Sequence, residues 1–206
     1  MPVKHRHKKP SSHISKHKKV KTSRGLVRII AGTHRGRRLP VLVHEGLRPT
    51  GDRVKETLFN WLMAEVEGAV CLDMYAGSGS LGIEALSRGA KHVVFIEQDR
   101  TVSQQITDNL TTLRELDNAA VLNQSALSTD LDASGPFDIV FIDPPFGKDM
   151  VEQSIKKLLV EGTLAPNAHI YIETGHNDEY TLSPNFALVK QIKTSQVFAC
   201  LYKFEA

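Results

Sequence analysis

The sequence predicts an open α/β fold, with a mostly parallel sheet, helices on both faces and a C-terminal antiparallel hairpin. Three observations predict it. From residue 69 onward, short apolar runs alternate with stretches of helical periodicity. A glycine-rich turn, Ala76-Gly77-Ser78-Gly79, follows the first of these runs and opens a helix. A buried-strand pattern at 137–142 stops in Asp143-Pro144-Pro145-Phe146.

The elements follow in order. Leu26 to Ile30 alternates like a short strand, and Leu39 to Val43 returns as a second, so 25–43 reads as a hairpin. Its connection carries Gly32, Gly36 and the basic cluster Arg35, Arg37 and Arg38. Arg48-Pro49-Thr50-Gly51-Asp52-Arg53 leads into a helix that Thr50 or Asp52 can cap. In that helix Val54, Leu58, Trp61, Leu62 and Val66 share one face, which is expected to be core. Strands are then expected at 69–73, 92–96, 120–123, 137–142 and 169–173. Helices are expected at 81–88 (stopped by Gly89), 101–116 and 149–160. Segments 186–192 and 196–204 read as two strands joined by a tight turn. The resulting organisation is a basic arm (1–24), a hairpin-and-helix extension (25–66) and the α/β domain (67–206).

Charge is unevenly spread. Residues 1–44 hold thirteen Lys and Arg and no Asp or Glu, whereas 45–206 carry a net charge of −10. A basic arm on an acidic body points to a polyanionic partner. The arm also holds His5, His7, His13 and His17, but no Cys or acid accompanies them, so a metal site is not expected. Low apolar content makes disorder the expectation for 1–24 when free, with a solubilising or non-specific tail as the plain alternative to a phosphate-contacting arm. The two cysteines, Cys71 and Cys200, cannot form a disulfide framework, and Cys71 reads as a buried thiol. A reducing cytoplasm is expected. No stretch approaches the ~18 apolar residues of a membrane span, and no signal-peptide core is apparent.

The glycine loop fits G-x-G-x-x-G through Gly77, Gly79 and Gly82. Alone, that pattern would suggest a dinucleotide. Asp73, four residues before Gly77, shifts the balance. A carboxylate at that strand end opposes a pyrophosphate and suits the ammonium of a methionine moiety, with a helix or loop cap as its plain role. Glu97 ends the next strand, where it can accept both ribose hydroxyls of an adenosyl ligand. Tyr75 and Ala76 in the loop, and Gln98 beside Glu97, complete the candidate cofactor shell. Ser125 stands where an acid often holds an adenine amino group, helped by the Ala126 backbone amide.

At the other motif the prolines form a stiff turn at a strand's carboxyl end, where open α/β sheets place ligands. An exocyclic amino nitrogen shares its lone pair with the base and is a poor nucleophile. Acceptors such as the Asp143 carboxylate and the Pro144 carbonyl can hold it in line with a methyl donor. Phe146 offers a face for the base, a contact worth ~1–3 kcal/mol. Pro145 stiffens the turn.

With both motifs placed, the chain resembles the RsmD family of bacterial ribosomal RNA methyltransferases over about residues 25–205. The resemblance rests on Arg28-Ile29-Ile30-Ala31-Gly32, Arg35-Gly36-Arg37-Arg38-Leu39-Pro40, Leu47-Arg48-Pro49-Thr50, Asp52-Arg53-Val54 and Glu56-Thr57-Leu58-Phe59-Asn60-Trp61. It continues through Asp73, Ala76-Gly77-Ser78-Gly79, Leu86-Ser87-Arg88 and Asp143-Pro144-Pro145-Phe146. It implies a Rossmann-like class I methyltransferase fold with a seven-stranded sheet. It also implies S-adenosylmethionine as cofactor and N2 of a single guanine in 16S rRNA (guanine 966) as target, within the 30S subunit or its assembly intermediates. By resemblance, Asp143 to Phe146 bind the amine and stack on the base, while Asp73, Gly77, Gly79 and Glu97 hold the cofactor. The segment from Arg48 through Thr50 to Arg53 covers both, and with Arg35, Arg37 and Arg38 it meets RNA. The Lys/His arm departs from the family pattern. A monomer is the default expectation.

Three other readings stay open on the residues alone. The Asp-Pro-Pro-aromatic turn is similar to that of adenine-N6 methyltransferases of DNA or RNA, although no large target-recognition domain is visible. A non-catalytic RNA-binding assembly factor would not need the intact acids. A nicotinamide oxidoreductase would need an acid or base beside the glycine loop, and none is present.

Overall fold

A hairpin of β1 (Ser23–Arg28) and β2 (Arg38–Val43) opens the described chain, with Ser23 opposite Val43 and Arg28 opposite Arg38. The computed structural model describes residues 23–43, 51–145, 150–195 and 197–206. After the hairpin come α1 (Asp52–Trp61), β3 (Val70–Asp73), α2 (Ser80–Ser87), β4 (His92–Ile96) and α3 (Arg100–Leu113). A 3-10 turn (Leu116–Asn118) precedes β5 (Ala119–Leu122), β6 (Phe137–Ile142), α4 (Met150–Val160), β7 (Leu164–Thr174), β8 (Phe186–Lys193) and β9 (Phe198–Phe204).

Strands β3 to β9 form one seven-stranded sheet in the order β5-β4-β3-β6-β7-β9-β8. The first five neighbours run parallel, and β9 is antiparallel to both β7 and β8. The expected architecture is therefore present. Side chains alternate across the sheet and feed two cores. One face packs Leu58, Phe59, Leu81, Ile106 and Leu110 from α1, α2 and α3 on Cys71, Phe95, Phe141 and Tyr171. The other packs Val151, Ile155 and Leu158 of α4 on Leu72, Val94, Val140 and Ile170.

Several boundaries differ from expectation for local reasons. Gly51, not a side chain, occupies the N-cap of α1, and the Asp52 carboxylate instead meets Arg28 Nε at 3.2 Å. Thr50 lies outside the described residues. Helix α3 starts one residue early, because Asp99 accepts from the Thr101 and Val102 backbone N–H groups. It ends at Leu113 because Arg114 turns left-handed at φ 63°, and the 3-10 turn takes up the remainder. Strand β7 begins five residues early, and its pairing with β6 slips between Phe137 and Ile139. Both cysteines are buried. Among the described residues no helix is long and apolar enough to cross a membrane.

The hairpin is fastened to α2 by a buried acid that periodicity could not reveal. Glu84 is fully buried. It accepts from the backbone N–H groups of Ile30 and Ala31 at 2.8 and 3.0 Å and from Arg88 Nε at 2.8 Å. Lys55 Nζ lies 3.7 Å from it and donates to the Arg28 carbonyl at 2.7 Å. Lys55 sits on the helical face expected to be apolar, and burial lowers its pKa despite Glu84. Gly32 lies against the Ser87 carbonyl at φ +80°, and a Cβ there would sit 1.7 Å from that oxygen. Asn109 of α3 donates to the Pro40 carbonyl and Arg37 donates to the Thr112 carbonyl, so β2 climbs α3 from its last turn toward its first.

Replacing Glu84 by Ala would leave the Lys55 ammonium buried without its carboxylate. The expected loss of stability is about 3–5 kcal/mol, read by urea unfolding. A loss under about 1 kcal/mol would show that the joint does not hold the hairpin.

Candidate functional site

The site is built at the carboxyl ends of β4, β3, β6 and β7, on the face that carries α1 to α3. Strand register sets Phe95, Asp73, Phe141 and Tyr171 level with one another on that face. Two residues further along come Glu97, Asp143 and Glu173. Four acids thus converge on one edge from four adjacent strands, which lie about 4.8 Å apart.

Asp73 is buried, and its Oδ2 accepts from the Gly82 backbone N–H at 3.0 Å. It therefore serves as a cap for the first turn of α2, the plain role open to it. Burial pushes its carboxyl up to about 7, against the pull of the Gly82 bond and with help from the Glu97 charge. Glu97 shapes the loop between β3 and α2. Its Oε2 accepts from the Gly77 N–H at 2.9 Å and its Oε1 from the Asp99 N–H at 2.7 Å. Burial raises its pKa against those two bonds. Gly77 and Gly79 take φ values of 50° and 73°, which favour glycine. A Cβ on Gly82 would lie 2.2 Å from the Phe95 ring, so the third glycine seats α2 on the sheet.

Asp143 follows β6 directly. Its pKa is raised well above the usual carboxylate range, first by burial and then by the charges of Glu173 and Asp73. Pro144 is buried and Pro145 exposed. Phe146 lies outside the described residues, as do Arg48 and the rest of 44–50.

The other candidate cofactor residues sit around the loop. Ala76 is buried, and its N–H donates to the Ile96 carbonyl. The Tyr75 hydroxyl lies 2.7 Å from Ser154 Oγ of α4, so it tethers the loop to the helix that follows the proline turn. Gln98 and Ser125 are exposed. The Ser125 carbonyl starts a turn, accepting from the Ser128 and Thr129 N–H groups, and Ala126 is buried within it.

The basic residues divide by location. Arg35, Arg37, Arg38 and Arg53 are exposed. The hairpin connection that holds Arg35 and Arg37 is pinned at Ser87, the last residue of α2, through the Thr33 and His34 N–H groups. The glycine loop is at the opposite end of that eight-residue helix, about 12 Å away at 1.5 Å per residue. The connection is therefore not brought to the acidic edge. The open end of the hairpin, Ser23 and Val43, points along α3 toward that edge.

Sequence reasoning did not single out Glu173 or Glu84. Glu173 ends a mostly apolar run, and only the strand register reveals it as a neighbour of Asp143.

The residues fit a cationic adenosyl ligand. Burial first, and neighbouring negative charge second, raise the carboxyls of Asp73 and Asp143, and a positive group at this edge offsets that cost. The two backbone bonds to Glu97 leave lone pairs for a diol. Among the described residues no group of three His, Cys, Asp or Glu side chains is placed to hold a metal ion.

The chain is similar to known proteins over most of its length. The family model described as conserved hypothetical protein 95 matches residues 27–203. Ribosomal RNA small subunit methyltransferase D of Haemophilus influenzae is 51% identical over 191 residues, covering 90% of this chain and 99% of that protein. Its Escherichia coli K12 namesake is 48% identical over 183 residues, covering 88% and 92%. The solved structure of a putative methyltransferase from Escherichia coli superposes with a TM-score of 0.80 at 46% identity, covering 88% of this chain and 99% of that one.

The raised carboxyl of Asp73 has a consequence for stability. A group held near 7 when folded and near 3.8 when unfolded binds its proton more tightly in the folded chain. Its stabilising contribution is full below the unfolded value and is lost as pH rises through about 7. The unfolding free energy of the ligand-free chain should fall by a few kcal/mol between about pH 5 and pH 8, and Asp73→Asn should flatten that slope. An unchanged slope in the variant would exclude Asp73 as its source.

Proposed function

The chain belongs to the RsmD family, that of the ribosomal RNA small subunit methyltransferases D, and from that premise we propose that it methylates the exocyclic N2 of a guanine in 16S rRNA. S-adenosylmethionine is the methyl donor, and guanine 966 is the position that the family resemblance implies. The observation that carries this reading is the placement of Asp143 and its proline turn beside Asp73 and Glu97 on one sheet edge.

The chain's own groups have distinct tasks. Asp73 meets the ammonium of the methionine moiety, and the backbone at Gly77 and Gly79 admits it closely. Glu97 accepts from the ribose hydroxyls, with Gln98, Ser125 and Ala126 around the adenine and Tyr75 and Ala76 shaping the loop. When bound, the cofactor supplies an electrophilic methyl on a positively charged sulfur. The Asp143 carboxylate and the Pro144 carbonyl accept from the two amino hydrogens of the base and hold the nitrogen lone pair toward that methyl. Phe146 stacks on the base, which must be out of any helix for the nitrogen to reach the edge.

RNA meets the chain at three basic places: the hairpin connection with Arg35, Arg37 and Arg38, the segment from Arg48 through Thr50 to Arg53, and the arm at 1–24. The hairpin connection stands well away from the acidic edge, so it contacts phosphates distant from the target base and adds affinity that weakens with salt. The enzyme works as a monomer on the 30S subunit or its assembly intermediates.

The test is transfer from labelled cofactor to naked 16S rRNA, 30S particles and duplex DNA, followed by nucleoside analysis. N2-methylguanine in the ribosomal substrates is expected, and N6-methyladenine in either nucleic acid would replace this reading with another amino methyltransferase. Asp143→Ala should lower the rate at least ~100-fold while changing cofactor affinity little. Wild-type turnover in that variant would remove Asp143 from the chemistry.

A further inference from the structure

Beside the half-buried Asp143 stands a buried acid to which the chemistry above gives no task. Glu173 is the penultimate residue of β7 and is 4% exposed. Strands β6 and β7 pair in parallel with Phe141 opposite Tyr171 and Ile142 opposite Ile172. One residue further, the same register sets Asp143 beside Glu173. Tyr171 shares the face, is fully buried, and donates its hydroxyl to Glu173 Oε2 at 2.6 Å. On the opposite flank Glu173 pairs with Ala199 of β9, whose buried methyl brings no charge.

A carboxylate is costly to bury, and more so beside another carboxylate. A packing role would be met by an amide or an apolar side chain without that cost. The arrangement therefore points to a task that needs the charge.

We propose that Glu173 is a positioning residue for methyl transfer: set beside Asp143 by the strand register and fixed by the Tyr171 hydroxyl, it makes Asp143 the group that takes the proton lost by the amino nitrogen. This rests on the methyltransferase reading above. In the step, the nitrogen lone pair forms the bond to the methyl carbon. The carbon–sulfur bond breaks, and its electron pair stays on sulfur, which becomes neutral. The nitrogen, now positive, passes one proton to the Asp143 carboxylate. Asp143 becomes a neutral carboxyl and returns the proton to solvent once product leaves.

The surroundings agree in sign. The charged groups acting on Asp143 are Glu173 on β7 and Asp73 on β3, and both raise its proton affinity beyond the effect of burial. Glu97 on β4 acts on Asp73. Tyr171 feels Glu173, Asp143 and the Cys200 thiol on β9, and burial together with these neighbours holds its hydroxyl well above its ordinary value, so it remains a donor. From the helices, α1 presents the Phe59 ring to Phe141, with the Arg88 guanidinium of the α2 C-cap 5.0 Å from the centre of Phe59.

Two readouts on Glu173→Gln and Glu173→Asp test this. One is the carboxyl carbon titration of Asp143 by nuclear magnetic resonance in the ligand-free chain, assigned by its loss in Asp143→Asn. The other is the pH profile of kcat. Removing the like charge should lower the Asp143 midpoint in Glu173→Gln by about one pH unit or more. The acidic limb of kcat should move to lower pH by the same amount, with the plateau about tenfold lower and cofactor affinity unchanged. Glu173→Asp, which keeps the charge, should stay near wild type in both profiles. An Asp143 midpoint and an acidic limb unchanged in Glu173→Gln would overturn the proposal, whatever the rate. If the wild-type chain transfers methyl to no RNA, the functional reading fails, and the titration still decides the Asp143–Glu173 pairing.

Discussion

The crowding of carboxylates at one edge of the sheet is the constraint on which the rest of the site depends. Parallel strands deliver their carboxyl ends to the same edge, and pleat alternation puts Asp73 on the face shared by Phe95, Phe141 and Tyr171. Three of the four acids are met by a specific donor: Gly82 for Asp73, Gly77 and Asp99 for Glu97, Tyr171 for Glu173. Those bonds orient the acids. The edge is therefore strongly biased toward a cationic ligand and toward proton uptake at Asp143.

A second joint lies behind the first. Glu84 on the face of α2 turned to the hairpin gathers Ile30, Ala31, Arg88 and Lys55 into one buried cluster. The same helix begins at Gly79 and the Asp73 cap, so one eight-residue element links the glycine loop to the hairpin. Arg88 also covers Phe59, and the ring sequence Phe59, Phe141, Tyr171 runs beneath the acids. The hairpin's seat and the acidic edge therefore share packing, although the Arg35 to Arg37 connection is remote from that edge.

Much of this was legible in the sequence, for identifiable reasons. The alternation of strands and helices, the Gly77-Gly79-Gly82 loop and the Asp143-Pro144-Pro145 stop are local signals, and the sheet follows from them. Glu97 was readable because it ends the strand that follows the glycine loop and its helix. Lys55, Glu84 and Glu173 were not readable, because a charged residue on an apolar face declares itself only when its partner, distant in the chain, is known. The cap of α1 was misassigned because Asp52 has a competing partner in Arg28. The location of Arg35, Arg37 and Arg38 depended on Gly32 and Ser87, a contact between residues 55 positions apart.

Near neutral pH the buried Asp73 carboxyl, pushed up to about 7, holds a proton that a positive ligand displaces. Calorimetry at pH 7, in buffers of different ionisation enthalpy, tests it most directly with S-adenosylmethionine and S-adenosylhomocysteine as ligands. These differ by a methyl group and one positive charge. Net proton release is expected on binding S-adenosylmethionine, seen as an enthalpy that depends on the buffer, with a smaller release for S-adenosylhomocysteine. Equal, buffer-independent enthalpies for the two ligands would contradict it.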